Sequence, residues 1–300
     1  MSIDDWVAMK VVFGRSGAIK ERVTLPVFLE NSGMLDTSMT SPSGNPQRTL
    51  GLSGCPNFRD AGGYATCDDG RLHWRRLYRS GHLAGLCEAD FRALEQLNLD
   101  LVVDLRREDE QLREPSRLPA ELEVLSARIT PGSQASAMYA NSRAIDSGEA
   151  MFAFMCEINR QFVVSQTDAY RDVFAAILDR GAERLLFHCS AGKDRTGFAV
   201  AMLHLALGVP VASLREDYLL SRRYYDPKVE LPKARRKYPV DHLADAQLLP
   251  MLRVDDAYLD RALAAIEEHY GDAETYLAEG LGLDEAARRE LRRRFVDKSP

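Results

Sequence analysis

The stretch LLFHCSAGKDRTGFAVAMLHLALG, residues 185–208, decides the fold. It begins with a short apolar run typical of a buried strand and ends with a long apolar run typical of a buried helix. Cys189 lies between the two runs, at the start of a polar, glycine-containing loop. A strand, a short loop and a helix in this order form the repeating unit of α/β folds, whose ligands bind at the carboxyl edge of the sheet. The stretch therefore predicts a binding loop that carries a thiol at that edge.

Five residues, SAGKD, separate Cys189 from Arg195. The backbone N–H groups of such a loop can converge on an anion, and the N-terminal end of the following helix adds positive partial charge. Arg195 offers a planar fork that matches two phosphate oxygens. The same surroundings favour the thiolate of Cys189, which is a nucleophile without a separate base. The pattern predicts that Cys189 attacks a phosphate bound by Ser190, Ala191, Gly192, Lys193, Asp194 and Arg195.

Three neighbours of the nucleophile have expected supporting roles. His188 should orient the loop through hydrogen bonds, and Thr196 can donate its hydroxyl to the sulfur when the thiolate leaves. Lys193 would place a second cation at the mouth of the site, which favours substrates with more than one phosphate. The alternative for Lys193 is a solvated surface lysine.

Outward from the loop, the chain alternates helical and strand-like patterns. Buried strands are predicted in LDLVVDLR (99–106) and ERLLFHC (183–189), and a helix in EADFRALEQL (88–97). A helical stretch over 149–180 should break near 165–167, where Thr167-Asp168 can cap a new helix. After Gly208 the chain is nearly all helical, with a capping box at Ser213 and Glu216. We expect an α/β fold with a mostly parallel central sheet, flanking helices and a helix-rich C-terminal part.

The N-terminal part differs from the rest. Residues 1–33 contain two β-like runs, and residues 36–48 are rich in Ser, Thr, Pro and Gly. The sequence thus predicts a small β-rich extension and linker over 1–48 and a catalytic domain over 49–300.

Composition excludes several classes. The 300 residues are 45% hydrophobic with a net charge of −6, which gives no general reason to bind nucleic acid. No apolar run reaches the roughly 18 residues of a membrane span. The five cysteines form no C-x-x-C pair, so neither a zinc site nor a disulfide framework is indicated. The acidic N-terminus argues against a secretory signal, and we expect a cytoplasmic protein, with unconventional secretion left open.

The motif HCSAGKDRTG resembles the H-C-x-x-G-K-D-R-T signature of the bacterial tyrosine and lipid phosphatases, a branch of the cysteine-dependent phosphatases. NFRDAGGY, LVVDLRREDE and DYLLSRRYYD follow the family's order and approximate spacing, so that the resemblance covers residues 53–295 and leaves 1–48 unmatched. It implies the cysteine-phosphatase fold, Cys189 as nucleophile, a cysteinyl-phosphate intermediate and no metal or cofactor. The implied substrates are phosphotyrosine and, as in several members, phosphoserine or phosphothreonine and phosphoinositides.

The general acid has two candidates, because no Trp-Pro-Asp loop occurs in the sequence. Asp194 lies in the loop itself, and the resemblance favours it. Asp104 ends the strand LVVDLR, which would bring it to the same edge of the sheet. The alternative role for Asp104 is a structural carboxylate at the strand end, paired with Arg106 or capping a turn.

Other residues of the matched motifs are expected to support the loop. Asn57, Arg59 and Asp60 could contact substrate, but we expect Asn57 and Asp60 to bond to the backbone around Gly62-Gly63 and to brace the loop from below. Arg79 should support the same loop.

Two further segments are open to more than one interpretation. The basic run KARRKY (233–238) is either a solvated face or a surface for acidic phosphopeptides or anionic lipid headgroups, the latter implying transient membrane contact. Residues 150–164 read as core, and the resemblance implies a helical lid. Alternative functions are a phosphate-recognising pseudophosphatase and a rhodanese-like sulfurtransferase.

Overall fold

A computed structural model describes residues 48–130, 145–238 and 240–297. Its central sheet has the order β1-β3-β6-β4-β5, with β1 antiparallel to β3 and every other neighbouring pair parallel. The strands are β1 (Arg59–Asp60), β3 (Leu77–Ser80), β4 (Leu101–Asp104), β5 (Val124–Ser126) and β6 (Leu185–His188). A separate antiparallel ribbon joins β2 (Arg71–Leu72) to β7 (Val296–Asp297). The mostly parallel sheet of the predicted α/β class is confirmed.

Helices occupy much of the remaining described chain. In chain order they are α1 (Glu88–Glu95), α2 (Glu108–Arg113), α3 (Gly148–Val164), α4 (Thr167–Asp179), α5 (Asp194–Ala206), α6 (Val211–Leu219), α7 (Ser221–Tyr224), α8 (Pro227–Lys237), α9 (Asp245–Leu252), α10 (Asp256–Tyr270), α11 (Ala273–Thr275) and α12 (Glu285–Phe295). A single π-helical turn, Tyr276–Gly280, follows α11. No helix within these described ranges is both long and apolar enough to cross a bilayer.

The two central strands are apolar along their length because the sheet is covered on both faces. Every residue of β4 and β6 is buried. Val102 and Leu186 pack on the side of α1, while Val103 and Phe187 join the larger core formed with α3, α4 and α5. Continuous burial of this kind is characteristic of parallel sheets between helical layers. It fixes the end of β6, and hence Cys189, at the carboxyl edge of the sheet.

Helix α3 is a packed core helix. Met151, Phe154, Ile158 and Phe162 lie in the main core, and the helix packs against α9 and α10. Residues 150–164 therefore form part of the hydrophobic core, as one of the two interpretations predicted.

Two of the helix starts differ from the capping residues predicted from the sequence. The expected break is present, since α3 ends at Val164 and α4 begins at Thr167. Thr167 does not cap α4, however, because its hydroxyl donates to Val163 O of the preceding helix at 2.6 Å. The capping box at Ser213 is wrong. Helix α6 begins earlier, directly after Pro210, and Ser213 lies inside its first turn. The expectations for residues 1–47 lie outside the described residues.

Candidate active site

The loop from β6 to α5 is a tight turn that starts at Cys189. Gly192 has φ +68°, and a Cβ on it would lie 2.3 Å from the backbone of Ser80. Only glycine allows both this left-handed conformation and this close approach. The turn places the thiol of Cys189, 2% exposed, near the N-terminus of α5. The Gly192 N–H donates to Cys189 Sγ at 3.2 Å.

The carbonyl groups of residues 190–193 are all held by donors. The donor–acceptor pairs are His82 N–H to Ser190 O (3.0 Å), Asn57 Nδ2 to Ala191 O (3.0 Å) and Gly192 O (2.8 Å), and Arg79 Nη2 to Gly192 O (2.9 Å) and Lys193 O (3.2 Å). A peptide unit directs its N–H opposite to its C=O. Fixing the carbonyls on the supporting side therefore turns the amides toward the concave side, as in an anion-binding nest.

Asn57 is the central anchor of this support. It binds the loop directly rather than the Gly62-Gly63 backbone, and it does so from φ +61°, a conformation that asparagine tolerates better than most residues. Arg59 donates to Asn57 Oδ1 at 2.5 Å and so fixes the orientation of the amide. Asp60 accepts from the backbone N–H groups of Gly62 and Arg75, as part of the predicted bracing. None of the three lines the cavity described below.

A buried ion network connects these anchors to α6. Arg79 Nη1 donates to Asp217 Oδ2 at 2.6 Å, and Arg59 Nε lies 3.5 Å from Asp217 Oδ1. All three side chains are at most 1% exposed. Burial alone would raise the pKa of Asp217, but the two arginines hold it well below its usual range. The supporting role predicted for Arg79 thus depends on a carboxylate that the sequence analysis did not single out.

Arg195 is oriented by Glu110, which the sequence analysis also missed. Nη1 donates to Glu110 Oε2 at 2.6 Å and to Leu105 O at 3.3 Å, and Nη2 donates to Glu110 Oε1 at 3.1 Å. Within the described chain, these bonds leave the Nε–H and one Nη2–H of Arg195 for a ligand. Burial raises the pKa of Glu110, but Arg195 and the nearby Lys237 more than offset this, so its pKa is strongly lowered.

The sequence carried only a weak signal for Glu110. It belongs to the acidic run EDE at the start of α2, which any helix N-terminus favours. Its side chain accepts from the Arg107 N–H at 3.0 Å, and this bond turns it inward while Asp109 stays exposed. Which acid of the run faces the loop depends on where the helix begins.

A cavity opens beside the loop and is called the active-site cavity here. It is bordered by His82, Ser190, Asp194, Tyr225, Lys237 and Met251, among others. Asp194 is the first residue of α5. Its Oδ1 is buried and, among the described residues, has no hydrogen-bond partner.

Asp104, the other acid candidate, lies outside this cavity. Both of its carboxylate oxygens accept from Arg106, with distances of 2.8 to 3.2 Å for the side-chain nitrogens. Burial alone would raise the pKa of Asp104, but the adjacent His188 and the bonds from Arg106 hold it below its usual range. An ionised, doubly paired carboxylate is suited to structure rather than to proton donation.

His188 and Thr196 are fully buried next to the loop. Neither His188 ring nitrogen nor Thr196 Oγ1 has a hydrogen-bond partner among the described residues. His188 Nε2 is 3.5 Å from Asp104 Oδ2, and burial lowers the pKa of His188 to about 4. The ring is therefore neutral at neutral pH.

Lys193 also borders the cavity, and backbone carbonyls of another segment hold its ammonium 3.8 Å from Asp194 Oδ2. Its Nζ donates to Met251 O at 2.7 Å and to Arg253 O at 2.9 Å, and the residue is 2% exposed. Burial lowers the pKa of Lys193. The lysine is neither a solvated surface residue nor an unoccupied cation at the mouth.

Comparisons of the sequence with known proteins match tyrosine phosphatases. A sequence model of the tyrosine phosphatase family matches residues 50–297. A Cupriavidus necator protein that bears the name of a tyrosine-protein phosphatase is 33% identical over 86% of this chain and 96% of its own length. A tyrosine-protein phosphatase of Nostoc commune is 30% identical over 72% of this chain and 73% of its length. The triple specificity protein phosphatase PtpB of Mycobacterium tuberculosis is 28% identical over 80% of this chain and 96% of its length.

Proposed function

Because this chain belongs to the tyrosine phosphatase family and is a phosphatase, we propose that it hydrolyses phosphate monoesters through a cysteinyl-phosphate intermediate on Cys189. The observation that carries the proposal is the loop itself, whose carbonyls at residues 190–193 are each held by a donor beside a buried thiol. Such a loop offers converging N–H groups to the phosphate oxygens.

In the first step, Cys189 Sγ attacks the phosphorus in line with the ester oxygen. The S–P bond forms as the O–P bond breaks, and the leaving oxygen takes a proton. The loop amides and the free edge of Arg195 stabilise the charge on the three equatorial oxygens. We assign the proton to Asp194, because it borders the cavity while Asp104 is paired outside it.

In the second step, water attacks the phosphorus of the intermediate. The ionised Asp194 takes a proton from this water, the S–P bond breaks, and inorganic phosphate and the Cys189 thiolate are released. The step needs no metal or redox partner.

The substrates we propose are phosphorylated proteins, with phosphotyrosine first, and phosphoinositides. The resemblance of the loop to the tyrosine and lipid phosphatases and the name of the mycobacterial relative support more than one substrate class. We propose a reducing compartment such as the cytoplasm, supported by five free thiols, of which Cys67 and Cys87 are exposed.

The test is phosphate release from a phosphotyrosine peptide, a phosphoserine peptide and soluble phosphoinositides, with a chelator present. Wild type should release phosphate, and Cys189→Ser should not while still binding a phosphate analogue. Acid quenching during wild-type turnover should show one phosphoryl group on the peptide that contains Cys189. Activity retained by Cys189→Ser would overturn the assignment, and binding without any wild-type turnover would indicate a pseudophosphatase. Thiocyanate formation from thiosulfate and cyanide would indicate a sulfurtransferase.

A further inference from the structure

Lys237 brings a second cation to the phosphate-binding loop from a different part of the chain. It is the last residue of α8, within the basic run 233–238, and it borders the active-site cavity. Its Nζ donates to Ser190 Oγ at 2.9 Å, and Ser190 directly follows the nucleophile. With 13% of its side chain exposed, Lys237 lies at the wall of the loop rather than on the outer surface.

The other basic residues nearby are already engaged. Lys193 donates to two carbonyls at the end of α9. Lys233 is paired with Glu230 at 2.8 Å, and Arg235 donates to Leu243 O and to Asp245. The position predicted for Lys193, a cation at the mouth of the site, is thus occupied by Lys237.

Two carboxylates neutralise Lys237, and they differ in how firmly they are held. Glu110 Oε1 lies 3.6 Å from Nζ, but Glu110 is fully buried and committed to Arg195. Glu114 Oε2 lies 3.3 Å from Nζ, and its side chain is 34% exposed. In the part of the chain that the structure describes, Lys237 is the one hydrogen-bond donor to the Glu114 carboxylate. Because Glu114 is partly exposed and is held by this one bond, another anion can displace it from Lys237 more easily than it could displace the buried Glu110.

We propose that Lys237 binds a second phosphate of the substrate, at the place that the Glu114 carboxylate holds in this structure. The proposal rests on the proposed function, in which the loop after Cys189 binds the first phosphate. Since Ser190 links Lys237 to that loop, the second phosphate must be a near neighbour of the first. Adjacent hydroxyls of a small ring meet this requirement, as in an inositol bisphosphate headgroup. Successive residues of an extended peptide do not, because their side chains point to opposite faces.

The first experiment compares Lys237→Met with Arg236→Met, its exposed neighbour on α8, which does not border the cavity. The substrates are a soluble short-chain phosphatidylinositol with two adjacent phosphates, its monophosphate, and a singly phosphorylated tyrosine peptide. Lys237→Met should lower kcat/KM for the bisphosphate about 10- to 100-fold more than for the other two, mainly through KM. Arg236→Met should leave the ratio at the wild-type value.

Glu114→Gln tests the displaced anion. Removing the competing charge should raise the preference for bisphosphate over monophosphate, the opposite of the change in Lys237→Met. The same ratios should be obtained with the free inositol bisphosphate and with the lipid in phosphatidylcholine vesicles, because the headgroup carries both phosphates.

Binding of inositol bisphosphate to Cys189→Ser, with and without Lys237→Met, gives a readout that does not need turnover. Weaker bisphosphate binding with unchanged monophosphate binding supports the proposal even if turnover fails, which would count against the proposed function alone. An equal loss on all substrates would overturn the proposal, since Lys237 would then only orient Ser190. A loss confined to vesicles, or to a doubly phosphorylated peptide, would overturn it in favour of a membrane contact or a peptide site.

Discussion

Arg195 can serve one phosphate geometry only if its guanidinium is held in one orientation. Glu110 binds the Nη1–Nη2 end of the group and leaves the Nε–Nη2 side for the substrate. The arrangement resolves a conflict, since a buried arginine without an anion would be unstable, whereas an anion on the free side would block the phosphate.

Glu110→Gln should therefore reduce both activity and stability. We expect kcat/KM for a phosphotyrosine peptide to fall by about 100-fold because Arg195 is no longer fixed. The free energy of unfolding should fall by about 3–5 kcal/mol, since buried charge loses its counter-ion. The matched control is Asp109→Asn on the same helix, which is exposed and pairs with Arg107. Wild-type kcat/KM in Glu110→Gln would show that Arg195 is oriented without this carboxylate.

Asp194→Asn should impair catalysis in proportion to the basicity of the leaving group. A general acid contributes about 10²- to 10⁴-fold when the leaving oxygen needs a proton. We expect a loss in that range for alkyl and phosphotyrosine esters, and a much smaller loss for an aryl phosphate with a strongly acidic phenol. Burst kinetics with both substrate types would measure this. Equal losses on both types would argue against Asp194 as the acid.

Asp104→Asn is the matching substitution at the second candidate for the general acid. It should lower stability, because Arg106 is 1% exposed and loses its charged partner. Per folded molecule, the loss in rate relative to wild type should be the same for strongly and weakly basic leaving groups. A leaving-group effect in Asp104→Asn instead of Asp194→Asn would reverse the assignment.

At the scale of elements, the phosphate loop is held by three segments that are distant in sequence. Asn57 before β1, Arg79 in β3 and Asp217 in α6 connect in one buried network. Because Asp217 neutralises both Arg59 and Arg79, the shape of the loop depends on a helix that does not border the active-site cavity.

Asp217→Asn should loosen this support. Two buried arginines would face a neutral partner, so we expect the free energy of unfolding to fall by about 3–5 kcal/mol and KM to rise. The carboxylate pKa is lower in the folded than in the unfolded chain, so its stabilisation is present above about pH 4 and is lost as the pH falls further. Urea unfolding at pH 7 and pH 3.5 measures the free energy of unfolding, and steady-state kinetics with a phosphotyrosine peptide measures KM. Asp260→Asn, at an exposed pair with Arg215, should change neither.

The sequence predicts local features of the site well and long-range ones poorly. Residues 185–208 specify strand, loop and helix within one continuous stretch, so the position of Cys189 and Arg195 could be derived from spacing alone. Glu110 lies 85 positions from Arg195, and no pattern says which of three adjacent acids faces inward. The position of the Lys193 ammonium is likewise set by distant residues, because it donates to carbonyls at the end of α9. Ser213 failed as a cap because Pro210 starts the helix earlier.

At the scale of the whole molecule, burial of neutral histidines makes stability depend on pH. His188 lies under the loop, and His204 lies inside α5, where its Nε2 is 2.9 Å from Ala61 O. Burial lowers the pKa of both rings, for His188 to about 4. Asp104, which faces His188, opposes this shift, and Arg106 adds to it. Acid therefore charges these histidines more readily in the unfolded chain.

The contribution of His188 to stability should fall as the pH drops from 6.5 toward 4. Asp60 opposes this loss, because burial raises the pKa of its carboxyl to about 6 and it therefore binds its proton more readily in the folded chain. At His188 the unfolded chain binds more protons than the folded chain in this window, so the share of the free energy of unfolding that this ring contributes decreases with decreasing pH. For His188 alone, values of 6.5 and about 4 correspond to a loss of about 2 kcal/mol at pH 5. Urea unfolding of wild type and His188→Gln at pH 7 and pH 5 isolates this share, because the variant keeps Asp60 and should lose about 2 kcal/mol less than wild type between the two pH values. A wild-type His188 ring that titrates near pH 6.5 by NMR would contradict the prediction, because the proton would then bind the folded and unfolded chain alike.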